Sequence, residues 1–173
     1  MTLLLAPAGW VAAQIPDKLP PAPNYLGEIR RSPDGQLKTV SADPKQAAVA
    51  AKPATMVVGP GEKITTITEA ARLAQDGEVI EIRPGDYHGQ PAIWTKNELI
   101  IRGGTGGRPV MLADGKSAEG KAIWVVHGGK VRIENIEFRG ARVASRNGAG
   151  IRFEKGNLTV HSCAFLDNEM GIL

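Results

Sequence analysis

The fold class this sequence predicts is an all-β solenoid, a stack of coils with three short strands in each. A repeat is the first reason. "VRI" (131–133) matches "LTV" (158–160) and "IEF" (136–138) matches "CAF" (163–165). Val131 to Leu158, Ile133 to Val160, Ile136 to Cys163 and Phe138 to Phe165 share one offset, 158 − 131 = 27. Alternation is the second reason: apolar and polar residues exchange along runs only a few residues long, the period of a half-buried strand. Composition is the third, with 21 Gly, 12 Pro and 5% aromatics in 173 residues, which favours frequent turns over long helices. Strands this short bury little alone. Stacked at constant register each coil covers the next, with backbone bonds running between coils about 4.8 Å apart.

The elements follow in order. Segment 1–13, "MTLLLAPAGWVAA", is apolar from Leu3 and ends in Ala12 and Ala13, like the second half of a secretory signal, although no Lys or Arg precedes Leu3. It is too short to span a bilayer, and it points to a secreted or periplasmic protein. Residues 14–55 carry Pro16, Pro20, Pro21, Pro23, Pro33, Pro44 and Pro53 among Ala, Lys and Asp, and read as a flexible spacer. Order begins at Met56. A short helix is predicted over 66–76, opened by Thr66 and Glu69 as a Thr-x-x-Glu capping box and closed by Gly77. Its narrow apolar face is Ile67, Ala70, Ala71 and Ala74. In "EVIEIRPGDY" Ile80 and Ile82 alternate with polar neighbours before a Pro84-Gly85 turn.

About four coils follow, the last incomplete. First strands align as "AIWVV" (122–126) with "GIRFE" (150–154), an offset of 150 − 122 = 28. A looser earlier copy is "AIWT" (92–95), "LII" (99–101) and "VML" (110–112), and extra length falls in 103–109 and 140–149. Alternation then places Ile123, Val125, Val131, Ile133, Ile136 and Phe138 inward. Ile151, Phe153, Leu158, Val160, Cys163 and Phe165 stack on them in the next coil, so Cys163 reads as a small buried apolar side chain. Asn147-x-x-Gly150-Ile151 returns as Asn168-x-x-Gly171-Ile172, displaced by 168 − 147 = 21. The motif marks the corner into a first strand, where Asn and Gly tolerate a left-handed turn. Its second copy opens a coil that the 173 residues do not finish. The expectation is a stack truncated at its C-terminus, self-associating through the open coil.

A capping helix, then "DGEVIEIRPGDY", then coils reading "VRIENIEFRG" and "LTVHSCAFLDN" resemble the right-handed parallel β-helix of the pectin-lyase-like superfamily over roughly residues 56–173. Asn135 falls in the tight corner between second and third strands, where that family often stacks asparagines; Ser162 replaces it one coil later. The match is specific for a fold and weak for any one activity. It implies polysaccharide lyases, hydrolases and epimerases as relatives, working on the outer face of the first strand and its flanking loops. It also implies a catalytic base from coils beyond the first few, so these 173 residues alone are expected to lack turnover.

On that face the alignment stacks Trp94, Trp124 and Arg152, with Lys96, Val126 and Glu154 in the next outward column. Two indoles in register could hold sugar rings, and Arg152 could pair a uronate carboxylate. The competing reading buries both indoles under the spacer or the 140–149 loop. Asn147, Asp167, Asn168 and Glu169 lie in the returning corners beside the face, and related lyases use Ca²⁺ held by such oxygens. The competing reading is local turn geometry, because Asn and Asp suit such corners. No cofactor is required. A Cys/His zinc site is excluded by three His and one Cys, His161 has no partner at catalytic spacing, and "GGTGGRP" (103–109) lacks the Lys-Ser/Thr of a phosphate loop. The formal charge of +3 is mild and the basic residues are scattered, which disfavours nucleic acid. Two functions stay open: an exported carbohydrate-active or polysaccharide-binding protein with an acidic polysaccharide as ligand, or a non-catalytic surface or adhesion protein.

Overall fold

The computed structural model describes residues 27–31, 37–41 and 52–173. Segment 1–13, read as signal-like, lies outside them. The chain divides into two compact units between Ala50 and Ala51. In the first, β1 (Gly27–Arg31) and β2 (Leu37–Ser41) pair antiparallel, Gly27 opposite Ser41 and Arg31 opposite Leu37. The stretch read as a spacer therefore contains a pair of antiparallel strands. Ile29 in one arm and Leu37, Thr39 and Val40 in the other supply the strand preference that its proline count obscured.

The second unit opens with β3 (Met56–Val58) and the single described helix, α1 (Ile67–Leu73). Thr66 caps α1, its hydroxyl accepting from the Glu69 N–H at 3.3 Å, and Ile67, Ala70 and Ala71 are buried beneath it. The helix ends at Ala74, earlier than the expected 76. The next residues bond elsewhere: Gln75 N–H donates to the Glu78 carboxylate and Gly77 N–H to the Asn97 carbonyl. Twelve short strands follow: β4 (Val79–Ile82), β5 (Asp86–His88), β6 (Ala92–Trp94), β7 (Leu99–Gly103), β8 (Val110–Leu112), β9 (Ala122–Val126), β10 (Lys130–Glu134), β11 (Glu137–Arg139), β12 (Ala149–Phe153), β13 (Asn157–His161), β14 (Ala164–Leu166) and β15 (Met170–Ile172).

With β3 they form three parallel sheets, ordered β13-β10-β7-β4-β3, β14-β11-β8-β5 and β15-β12-β9-β6. Successive passes of the chain therefore add one strand to each sheet, a solenoid-like stack compatible with a β-helix. The 27-residue register holds in two sheets as expected: Val131 pairs Leu158, Ile133 pairs Val160 and Phe138 pairs Phe165. In the β9 sheet it differs from the alignment. Ala122 pairs Ala149 and Trp124 pairs Ile151, again 27 rather than 28. A slip of one residue turns every side chain of a strand to the other face.

The interior consequently holds an aromatic file. Trp94 meets Trp124 edge-on at a centroid separation of 5.3 Å, Trp124 meets Phe138 at 4.8 Å, and Phe138 stacks on Phe165 at 5.3 Å. Ile80, Ile101, Val131, Ile133 and Ile136 surround it. Leu158, Val160, Cys163 and Phe165 pack against this core but are only partly buried. Among the described residues no helix is long and apolar enough to cross a membrane.

The corners explain the repeated motif. The left-handed residues are Arg146 (φ 57°) and Asp167 (φ 51°), each one position before the Asn, and not the Asn or Gly themselves. The 21-residue interval is the register of the last strand pair, Ala149 with Met170 and Ile151 with Ile172. Gly150 is needed for room: a Cβ there would lie 2.7 Å from a Phe165 ring carbon and 3.0 Å from Phe138 Cβ. Asn135 (φ 53°) and Ser162 (φ 52°) turn the tight corners before β11 and β14 as the sequence suggested.

Candidate functional site

Trp94 and Trp124 are fully buried and cannot present a sugar platform. Their register partners are Val126 and Ile151, both core residues, whereas the outward column of the sheet is Ile93, Val125 and Arg152. Ile93 is 39% exposed beside the 0% of its neighbour Trp94. Val126, expected outward, is also buried in the core, and Val125, expected inward, packs in a separate small cluster with Ala118, Ala122 and Ala149. Of the three proposed contact residues only Arg152 remains on the surface. Both indole N–H groups are buried with no hydrogen-bond partner. A buried indole N–H usually finds one.

The residues proposed for a cation are engaged in holding the 140–148 loop. Glu169 Oε2 accepts from Gly148 N–H at 2.7 Å and Val143 N–H at 3.1 Å, and those bonds keep its carboxyl below the usual carboxylate range. Asp167 accepts from Arg142 at 2.5 Å, and Asn147 accepts from the Ser145 hydroxyl at 2.5 Å. Asn168 bridges two turns of the stack, accepting from Ala141 N–H and donating to the Phe138 carbonyl, both at 2.9 Å. Among the described residues no group of three or more His, Cys, Asp or Glu side chains could hold a metal ion. The turn-geometry reading accounts for these positions.

What the β9 sheet does bring together is a chain of five charges that the sequence reading left unassembled. Arg152 Nε donates to Glu154 Oε1 at 3.2 Å, and Lys121 Nζ reaches the same oxygen at 3.0 Å. Lys121 also donates to Glu119 Oε2 at 3.1 Å, and Glu119 Oε1 lies 2.6 Å from His127 Nε2. Strand geometry places them: Arg152 continues the Ile93–Val125 column, while His127 and Glu154 extend the ladder through N–H bonds to the Trp94 and Val126 carbonyls. No family model, curated protein or solved structure matches the chain.

Glu119 reaches this position from a tight turn. Lys121 N–H bonds the Ala118 carbonyl at 2.9 Å, with Glu119 (φ 54°) and Gly120 (φ 64°) both left-handed, so the two central residues have the sign of a type I′ turn. A non-glycine residue there is uncommon and costs backbone energy. The cluster's electrostatics limit its chemistry. Glu119 is held below the usual carboxylate range by its bonds to His127 and Lys121, and Glu154 by its bond to Lys121; Lys121 is held above the usual lysine value by the two carboxylates. Two carboxylates kept ionised do not form the acid–base pair of a glycoside hydrolase, which needs one protonated member. Glu119 orients the His127 ring through the contact to Nε2. The signal in the sequence was "AEGK" before "AIWVVH", where Glu119, Lys121 and His127 lie within nine residues, 119–127.

Proposed function

We propose that this protein is a right-handed parallel β-helix of the pectin-lyase-like kind, exported, and that it engages an acidic polysaccharide on the outer face of the β9 sheet. The observation that carries the reading is the cluster of Arg152, Lys121 and His127 on that face. Arg152 spends only its Nε on Glu154 among the described residues, which leaves the rest of the guanidinium for a planar carboxylate. Three parallel sheets built from successive passes support the fold, and the apolar start of segment 1–13 supports export. Electrophoresis through gels containing pectate, alginate or a glycosaminoglycan tests binding. Retardation in at least one, weakened by about tenfold in R152A/K121A, is expected. Equal mobility in all three would sink the reading.

A second reading, a non-catalytic surface or adhesion β-helix, draws on a different observation. Lys121 and Arg152 are already matched by Glu119 and Glu154, and among the described residues no aromatic platform faces outward from the β9 sheet. An absorbance assay for unsaturated uronate products separates the two. Turnover favours the carbohydrate-active reading, and binding or assembly without turnover favours the second.

A further inference from the structure

The loop between β8 and β9 contains one tetrapeptide pattern twice: Ala113-Asp114-Gly115-Lys116 and Ala118-Glu119-Gly120-Lys121. Both copies fold alike. Lys116 N–H bonds the Ala113 carbonyl at 2.8 Å as Lys121 N–H bonds that of Ala118, and Asp114 (φ 45°) is left-handed like Glu119. Each acidic residue then meets a histidine on a different sheet. Asp114 Oδ2 lies 2.6 Å from His88 Nδ1 on β5, and Glu119 Oε1 lies 2.6 Å from His127 Nε2 just after β9. Ala113 is rooted in the main core, whereas Ala118 closes the small cluster over Val125, Ala122 and Ala149.

We infer that residues 114–121 form a flap over the outer face of the β9 sheet, latched at both ends by imidazole–carboxylate pairs and loosened when the imidazoles lose their protons. An imidazolium–carboxylate contact is a charge-assisted hydrogen bond, and a neutral imidazole keeps only the ordinary one. Histidine ordinarily changes charge between about pH 5 and 8, where Asp and Glu are ionised. The charges around each latch are mixed. His127 faces Glu119, with Lys121, Glu154 and Arg152 beyond it. His88 faces Asp114, shares its strand face with Asp86, and has Lys116 beside Gly89 and Arg139 two strands away in its own column. In each case the carboxylate is the direct contact. Opening would uncover Val125, in register with Ile93 and Arg152, so the flap regulates access to the face assigned above and rests on that assignment only for its purpose.

Hydrogen exchange followed by mass spectrometry on the full chain tests the flap without any ligand, so a chain that binds no glycan can still show it. The Lys116 and Lys121 amides, bonded within the loop, and the Ala118 amide, bonded to the Ala122 carbonyl at the start of β9, report on the closed state. After correction for intrinsic rates, their protection is expected to fall by about three- to tenfold from pH 5.5 to pH 8.0, the range two exposed ion pairs support. In H88Q/H127Q, protection at pH 5.5 should drop to the pH 8.0 level and lose its pH dependence. The β10 amides, unchanged in both proteins, separate this from global loosening. Equal protection at both pH values, or an H88Q/H127Q protein that behaves like the parent, overturns the inference.

Discussion

Trp124 sits inside the aromatic file, with Trp94 on one side and Phe138 on the other. Truncating it removes the middle of a stack and leaves a cavity that short strands cannot close without losing register. Trp124→Ala should cost about 3–5 kcal/mol, the range for large aromatic deletions in a core, while Trp124→Phe should keep most of the burial and cost less. Urea midpoints followed by circular dichroism decide this; an Ala variant within about 1 kcal/mol of the parent would mean that the ring is not buried. The residue is also where pattern reading went astray. Val125 and Trp124 are both apolar, so alternation alone does not say which faces in, and a one-residue slip of alignment exchanged them. Its indole N–H is buried without a hydrogen-bond partner, and the ring packs edge-on against Trp94 and Phe138.

At the scale of elements, the 140–148 loop depends on three consecutive residues of the next coil. Asp167 holds Arg142, Asn168 holds Ala141 and Phe138, and Glu169 holds Val143 and Gly148. Glu169 titrates lower in the folded chain than when unfolded, through its two backbone N–H bonds. Its contribution to stability is therefore present above the unfolded value, about 4.3, and is lost as pH falls through the folded one. Glu169→Gln should lower Tm by about 2–4 °C at pH 7, with a smaller gap at pH 3. Thermal scans of both proteins at the two pH values test it, and an undiminished gap at pH 3 would refute the charge argument. The loop's existence was readable from its Gly and polar content. Its anchoring was not, because Glu169 lies 21 positions from Gly148 and only the stacking of coils brings them together.

At the scale of the molecule, β13, β14 and β15 each have a strand neighbour on one side in a polypeptide of these 173 residues. Beside them Leu166, Met170, Ile172 and Leu173 are 40–45% exposed, and none of the three strands carries a Lys, Arg or Pro to discourage pairing. The opposite end differs: α1 packs on β6 and β3, and Ile64 bridges Val58 at the β3 edge. A polypeptide of these 173 residues is expected to form concentration-dependent oligomers through these edges. A single monomeric species in sedimentation velocity across a hundredfold concentration range would contradict that.

Local pattern was enough for the three-strand repeat, the Thr66 cap and the 27-residue register of two sheets. Each of these is written within a few consecutive residues as alternation or turn chemistry. The inward face of β9, the clamp by Glu169 and the chain of charges from Arg152 to His127 were settled by tertiary contact. They depend on which residue of one coil lies above which residue of another. Apolar residues next to each other in "AIWVV" leave the pleat undetermined until a neighbouring strand selects it, and here the bulk of Trp94, Phe138 and Phe165 makes that selection.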